Sequence, residues 1–321
     1  MFKAIVLFAL GLVMLIFGGD WFVDGAVGLA RRLKMSELLI GATIVSIGTT
    51  LPEVMVSATG AAIGNSAIAY GNAVGSVICN TSLVAALTVA VRPGGVDKNS
   101  FRVPVLFFFM AAVFYCVIAY TGRFTAWSGI VLLLGFSAYI AMNILNAGKH
   151  PELTSEEEET EDKNWPLWKQ LLFLVLGAAL IAVGSRLLVN NGTEIARVLG
   201  VPESVIALSF VALGTSLPEL VTAVTSLIKG HSALSLGNIV GANLFNLVLV
   251  SGIATVIRPF DVPSAKLIGG VNAAYAVDMP LMLLVMALLT IPALVKGKLH
   301  RSQGIILLLL YASYMVFQFA F

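Results

Sequence analysis

Long apolar segments constrain this chain more than any other feature of its sequence. About ten segments match the length needed to cross a bilayer, which takes roughly 20 apolar residues per helix. They lie near residues 4–30, 38–63, 67–91, 104–121, 126–147, 167–196, 203–228, 232–257, 279–296 and 302–320. Hydrophobic residues make up 59% of the 321 residues and charged residues only 11%, too little polar surface for a soluble globule of this size. The sequence therefore predicts an all-α membrane protein of ten transmembrane helices in a lipid bilayer.

The charges and the cysteines exclude other classes of protein. The net charge of +2 is too small to indicate nucleic-acid binding, and the basic residues are scattered among short loops. Cys79 and Cys116 both lie inside apolar segments, so neither a disulfide framework nor a CxxC metal site is available. Both cysteines are predicted to be packing residues.

The second half of the chain repeats the first at an offset of 166 residues. This offset aligns TIVSIGTTLPE (residues 43–53) with SFVALGTSLPE (209–219), and GNAVGSVICN (71–80) with GNIVGANLFN (237–246), without a gap. The four segments therefore form two polar blocks that occur twice, in register.

The same offset relates the first helix to the sixth, since it aligns Gly11 with Gly177 and Gly18 with Gly184. Each half holds five helices, an odd number, so the second half must enter the membrane in the opposite orientation. The sequence thus predicts two inverted-topology repeats of five helices. Substrate sites in such proteins lie at the repeat interface near the membrane midplane.

Three segments follow from this organisation. Residues 1–148 form the first five-helix repeat, residues 149–166 an acidic linker, and residues 167–321 the second repeat. The linker lacks the alternating ligands and the turn glycine of a calcium-binding loop, so a solvated connection is predicted. Loops on one side of the bundle carry thirteen Lys and Arg residues and the other side carries five. The linker is therefore expected in the cytoplasm and both termini outside, in the cell membrane.

Each half places a proline and a glutamate inside a predicted span. A carboxylate near the bilayer centre costs at least ~2.5 kcal/mol on insertion scales, so Glu53 and Glu219 are candidate functional residues by default. Pro52 and Pro218 directly precede them, and each is expected to free the carbonyl of the glycine four residues earlier. Freed carbonyls at membrane depth are tolerated where they line a cavity or meet a ligand.

Hydroxyl groups surround both glutamates. They belong to Ser46, Thr49 and Thr50 in the first copy and to Thr215 and Ser216 in the second. Carboxylate, carbonyl and hydroxyl oxygens are the ligands of hard cations, and Ca²⁺ takes about six to eight of them. The first polar block therefore indicates a cation site.

The second polar block adds close-packing glycines and amide oxygens. Its glycines are spaced at i and i+4, which lets two helix backbones approach closely. They are Gly71 and Gly75 in the first copy and Gly237 and Gly241 in the second. Asn80 and Asn246 end the block and offer amide oxygens, and Ser76 adds a hydroxyl in the first copy alone. Helix packing would explain a single glycine pair, but the recurrence of both blocks favours a ligand role.

The paired motifs G-T-[ST]-L-P-E and G-N-x-x-G-[SA]-x-x-x-N resemble the two alpha-repeats of the cation/calcium antiporter superfamily, in particular its prokaryotic sodium/calcium exchangers. The resemblance extends over all ten helices and implies four cation sites. It implies that Glu53 and Glu219 are shared by calcium and sodium and that Asn80 and Asn246 complete the middle site. It also assigns flanking sodium sites to the side chains of Thr49, Thr50, Ser76, Thr215 and Ser216 and the carbonyls of Ser46 and Ala212. Helices 1 and 6 are then expected to slide past this core.

Two positions depart from the family pattern. Ala242 stands where the family often has a serine, so one sodium site lacks a hydroxyl. Asn246 stands where several members, including potassium-dependent ones, have an aspartate. The core is therefore expected to hold two carboxylates and not three.

These features predict a secondary antiporter that exports Ca²⁺ as Na⁺ enters, with no enzyme activity and no cofactor. Two ionised glutamates carry a charge of −2, which one Ca²⁺ neutralises. A third Na⁺, implied by the resemblance, leaves +1, so transport is expected to be electrogenic. Because Asn246 supplies no third carboxylate, transport is also expected to be independent of K⁺.

The same glutamates could serve a proton/calcium exchanger. A passive channel is disfavoured, since channels usually repeat a pore motif among subunits, and a scaffold needs no buried glutamates. A monomer can suffice, and the oligomeric state stays open.

The remaining charged residues near the membrane are given structural roles. Asp20 and Asp24, toward the end of the first helix, are expected to reach interfacial water, and Asp278 is expected to start a helix. His150, His231 and His300 are predicted to be surface loop residues.

Overall fold

The computed structural model describes residues 1–146, 165–200, 214–264 and 267–320. Its helices are α1 (Phe2–Leu33), α2 (Glu37–Ala62), α3 (Ser66–Val91), α4 (Lys98–Tyr120), α5 (Ala126–Asn146), α6 (Leu167–Val198), α7 (Leu217–Ile228), α8 (Ser232–Ile257), α9 (Ala274–Lys296) and α10 (Arg301–Ala320). Among these described residues, eight helices are long and apolar enough to cross a membrane, all except α7 and α10. The all-helical membrane fold is confirmed, and the count of ten spans stays a prediction.

Two helices begin earlier than the apolar pattern predicts. The α4 helix starts at Lys98 because the Asp97 carboxylate accepts hydrogen bonds from the backbone N–H groups of Asn99 (3.2 Å) and Ser100 (2.8 Å). The α9 helix starts with a π-helical turn at Ala274–Asp278, and its α-helical part begins at Met279 with Asp278 at the N-cap position. The prediction that Asp278 starts a helix is therefore confirmed for the α-helical part.

The loops contain two short antiparallel strand pairings, which the sequence does not predict. Strand β1 (Arg123–Phe124) pairs antiparallel with β2 (Phe260–Asp261), with Arg123 opposite Asp261. Strand β3 (Leu267–Ile268) pairs with β4 (Val271–Asn272). The first pairing ties the α4–α5 connection to the chain that follows α8.

The helices differ in how much of their surface is buried inside the protein. The share of the 18-residue apolar segment that is buried inside the protein is 83% in α8 and 72% in α3. The same share is only 28% in α1 and in α6. The two copies of the second polar block therefore lie on the innermost helices. The long helices α1 and α6 lie at the periphery, where most of their apolar side chains face outward.

The peripheral helices α1 and α6 pack tightly against each other along their length. A methyl group added to Gly11 would lie 2.9 Å from the Gly184 carbonyl oxygen, and one added to Gly18 would lie 3.0 Å from that of Gly177. As the residue number rises along α1, the partner's number falls along α6, so the two helices run antiparallel. Contacts this short need glycine on both helices.

Among the described residues, four helices contain a turn of π-helix, at Gly41–Val45 in α2, Asn80–Ala85 in α3, Asn246–Val250 in α8 and Ala274–Asp278 in α9. Such turns are rare and are frequent at functional sites. Two of them begin at Asn80 and Asn246, which are equivalent in the repeat. The fold therefore distorts α3 and α8 at the predicted ligands.

Candidate cation-binding site

The two glutamates are buried on helices with different backbones. The α-helical part of α2 runs from Ser46 to Ala62 straight through Pro52, and Glu53 is fully buried. In the second copy the helix begins only at Leu217, with Pro218 and the fully buried Glu219 in its first turn.

This difference corrects one expectation about Pro218. Gly214 lies in a turn before α7, and a proline in the first helical turn replaces an N–H that has no intrahelical acceptor. Pro218 therefore removes no helical hydrogen bond from Gly214. The expected loss of a donor applies to Pro52 alone.

Several buried side chains have polar atoms without a hydrogen-bond partner in the part of the chain that the structure describes. Six of these side chains belong to the two polar blocks and have no such partner at any of their polar atoms. They are Glu53, Glu219, Asn80, Asn246, Thr50 and Ser216. Together they offer four carboxylate oxygens, two amide oxygens and two hydroxyl oxygens.

The energetic cost of leaving these groups unsatisfied indicates that they bind a ligand. Each unsatisfied buried group costs about 1–3 kcal/mol, so six cost on the order of 6–18 kcal/mol. That cost is as large as the whole stability of a typical domain, about 5–15 kcal/mol. Groups this costly persist where a ligand satisfies them, and this donor set fits a hard cation.

Electrostatics places the two glutamates in one region. The charges of the Glu53 and Glu219 carboxylates act on each other, and both act on the Cys79 side chain of α3. Cys79 accepts a hydrogen bond from the Tyr311 hydroxyl at 3.6 Å. Cys79 and Cys116 are buried and unpaired as predicted, but Cys79 also borders the site.

Two asparagines that the sequence reasoning passed over hold the site together. The Asn72 amide on α3 donates to the Glu53 carbonyl (3.0 Å) and to the Ser57 hydroxyl (2.9 Å). The Asn238 side-chain oxygen on α8 accepts from the hydroxyls of Ser46 (3.3 Å) and Thr49 (3.2 Å). Both occupy the second position of the GN motif, so the repeat itself was the signal that could have found them.

The other predicted ligands divide into three groups. Ser76 and Thr49 are buried beside the site helices, and Thr215 is partly exposed. The Ser46 hydroxyl donates to the carbonyls of Gly41 (2.7 Å) and Asn238 (2.9 Å), so its side chain serves packing and its carbonyl keeps the predicted ligand role. Ala212 lies outside the described residues.

Two glycines of the second polar block lie close to α2. A methyl group on Gly237 would collide with the Leu38 carbonyl, and one on Gly241 would collide with the Ala42 backbone. The predicted close approach is therefore confirmed for α8 against α2. For Gly71 and Gly75, no described atom lies within 4 Å of an added methyl group, so their part of the prediction remains open.

Several charged residues have partners that the sequence did not reveal. Asp20 and Asp24 form ion pairs with Lys229, and His231 contacts the Glu37 carboxylate at 2.8 Å. His231 and His300 lie in loops, as predicted, and both are partly exposed. His150 and most of the acidic linker lie outside the described residues.

Comparison with known proteins covers nearly the whole chain. The family model described as sodium/calcium exchanger protein matches residues 3–145 and 169–320. The uncharacterized membrane protein MJ0091 of Methanocaldococcus jannaschii is 35% identical over 305 residues, which cover 95% of this chain and 94% of that protein.

A second relative and a solved structure carry functional names. The sodium/calcium exchanger MaX1 of Methanosarcina acetivorans is 28% identical over 347 residues, with 97% of each chain covered. A structure of the sodium-calcium exchanger NCX_Mj, soaked with 10 mM Na⁺ and zero Ca²⁺, superposes with a TM-score of 0.80 at 32% identity. The superposition covers 98% of both chains.

Proposed function

The chain belongs to the sodium/calcium exchanger family, as its polar blocks predict, and we propose that it exports Ca²⁺ in exchange for Na⁺. Membership makes it a cation/calcium antiporter of the membrane and not an enzyme. The proposal concerns the ions, their number and the residues that bind them.

One observation carries the assignment of the site. Two fully buried carboxylates, two amides and two hydroxyls from both polar blocks lie without hydrogen-bond partners in the described residues. A pair of ionised carboxylates carries −2, so one Ca²⁺ or two Na⁺ neutralise it. Because both ions use the same two carboxylates, they compete for the site, which is what an exchanger requires.

We propose ten spans arranged as two inverted repeats, residues 1–148 and 167–321, joined by the linker at 149–166. The glycine contacts between α1 and α6 support this arrangement. Gly11 is equivalent to Gly177 and Gly18 to Gly184, yet Gly11 faces Gly184 and Gly18 faces Gly177. Such an exchange of partners is what a two-fold axis between the repeats produces.

Alternating access is proposed to come from a joint movement of α1 and α6. The two helices pack on each other through glycines, and both are peripheral to the α3–α8 centre. A shift of this pair leaves the buried ligands in place and changes which side of the membrane they face. The positive residues of the loops place the linker in the cytoplasm and both termini outside.

Three Na⁺ per Ca²⁺ are proposed, as the resemblance implies. The sodium-loaded core then carries +1, and each cycle moves one net positive charge inward as Ca²⁺ leaves. At ~2.3 kcal/mol per elementary charge per 100 mV, an inside-negative membrane drives export. Asn246 supplies no third carboxylate, so no charge remains for K⁺ to balance.

The test uses purified protein in liposomes loaded with calcium indicator. An outward Na⁺ gradient at equal pH is expected to drive Ca²⁺ uptake, and a pH gradient without Na⁺ is expected to drive none. A net current on a solid-supported membrane would support the movement of one positive charge per cycle. The current is expected to be the same with K⁺ as with choline as the background cation. Uptake driven by a pH gradient alone would establish the proton exchanger instead. Exchange without net current would indicate two Na⁺ per Ca²⁺.

A further inference from the structure

A row of unused hydroxyls continues from the site along α7. Thr222 and Ser226 follow Glu219 by three and seven residues, so the three side chains lie on one helical face. Both residues are fully buried, and neither hydroxyl has a hydrogen-bond partner within the described ranges.

Helix hydroxyls elsewhere in the protein are used differently. Thr43, Thr81 and Thr290 donate to a backbone carbonyl of the preceding turn at 2.7, 2.7 and 2.6 Å. That bond satisfies a buried hydroxyl at no cost in packing. Thr222 and Ser226 do not make it, so their oxygens remain available to a ligand.

The row ends at a charged cluster between α7 and α1. Lys229, the residue after α7, places its Nζ 2.6 Å from Asp24 Oδ1 and 3.4 Å from Asp20 Oδ1, and it donates to the Asp20 carbonyl at 3.0 Å. The Lys229 and Asp24 side chains are 24% and 25% exposed.

The first copy has no such row. The positions equivalent to Thr222, Ser226 and Lys229 are occupied by Val56, Gly60 and Ile63. The hydroxyl row is therefore a feature of α7 alone and not a consequence of the repeat.

We propose that Thr222 and Ser226 line the route between the Glu53/Glu219 site and the membrane face at Lys229, and that Lys229 caps the entrance formed by Asp20 and Asp24. This inference rests on the proposed exchange of Ca²⁺. A partly dehydrated cation needs oxygen ligands at each step. At about 1.5 Å of rise per residue, the hydroxyls stand about 4.5 and 10.5 Å beyond Glu219.

The contact of Lys229 with Asp20 and Asp24 changes when α1 moves relative to α7. Both aspartates belong to α1, whereas the lysine belongs to the end of α7. The helices touch at Gly19, where an added methyl group would lie 2.6 Å from the Thr225 hydroxyl. A shift of α1 along α7 separates Lys229 from the aspartates and so removes from the entrance an ammonium that repels an arriving cation.

The experiment measures the KM for Ca²⁺ separately at each membrane face, with protein of known orientation in liposomes. Thr222→Val and Ser226→Ala are expected to raise KM about tenfold at the Lys229 face and to leave KM at the opposite face unchanged. Thr222→Ser, which keeps the hydroxyl, is expected to restore the wild-type value. Thr59→Val, at an exposed hydroxyl of α2, is the matched control.

The cap is tested with charge variants. Lys229→Gln is expected to lower KM several-fold at the Lys229 face alone, and Asp24→Asn to raise it there. Lys298→Gln, at an exposed lysine, is the control. Equal changes at both faces, or none, would overturn the route while leaving exchange intact. A wild-type protein without Na⁺-driven Ca²⁺ flux would overturn the proposed function, and the route with it.

Discussion

The two copies of the first polar block place the same motif on different backbones. Glu53 lies in the middle of a helix that continues through Pro52, whereas Glu219 lies in the first turn of a helix that begins beside Pro218. The backbone N–H groups at the start of α7 favour a negative charge there, and Glu53 instead has its carbonyl held by Asn72. The acids are therefore equivalent in chemistry and supported by different means.

The second polar block shows the same division. Asn72 acts as a donor toward α2, while the equivalent Asn238 acts as an acceptor for hydroxyls of the same helix. Both asparagines thus brace α2. The comparison indicates that the repeat preserves the candidate ligands, and that the packing around them differs between the two copies.

The largest effect on Ca²⁺ exchange is expected at the two glutamates, which are the same in both copies. Glu53→Gln and Glu219→Gln should each abolish exchange, because a buried charge that loses its partner costs about 3–5 kcal/mol, more than a hundredfold in calcium affinity. Ca²⁺ uptake into liposomes measures this. Glu194→Gln, at an exposed glutamate of α6, is the control. Near wild-type uptake in either site variant would reject the assigned site.

The next effect concerns the close approach of α8 to α2. Gly237→Ala and Gly241→Ala should each destabilise the protein by about 3 kcal/mol, the upper part of the usual range for overpacking, because a methyl group collides with the α2 backbone. Thermal unfolding in detergent measures both variants against the wild-type protein. Unfolding of either variant at the wild-type temperature would contradict the close approach.

The equivalent asparagines allow one substitution to be compared at two places. Asn72→Asp should weaken calcium affinity about tenfold, roughly 1.4 kcal/mol, because it removes the amide donor and sets carboxylate oxygens against the Glu53 carbonyl. Asn238→Asp keeps the acceptor for Ser46 and Thr49 and should change affinity no more than about threefold. Calcium-dependent uptake curves measure both. The same loss at both positions would mean that the donor and acceptor roles are wrongly assigned.

The smallest effect concerns the one hydroxyl that the copies do not share. Ala242→Ser adds to α8 the hydroxyl that Ser76 supplies in α3, and it should lower the half-saturating Na⁺ concentration about threefold, the effect of one modest hydrogen-bond-like contact. Ser76→Ala should raise it by a similar factor. Sodium titrations of Ca²⁺ release measure the pair, and no change in either would remove this position from the sodium sites.

Much of this protein follows from its sequence alone. The apolar segments, the 166-residue offset and the Glu53/Glu219 pair predict a helical membrane protein with a two-carboxylate cation site, because hydropathy, repetition and buried charge are properties of the chain itself. The helix limits were less predictable, since Asp97 extends α4 by a local hydrogen bond that no hydropathy pattern reports.

Only the tertiary structure decided which repeated residues do the same thing. Gly237 and Gly241 touch α2 closely, Asn72 and Asn238 play opposite hydrogen-bonding roles, and Lys229 pairs with aspartates more than two hundred residues earlier. These differences depend on which helix lies beside each residue and at what distance. The spacing of residues along a helix specifies its faces, and the neighbour that each face meets is determined by the packing of the whole bundle.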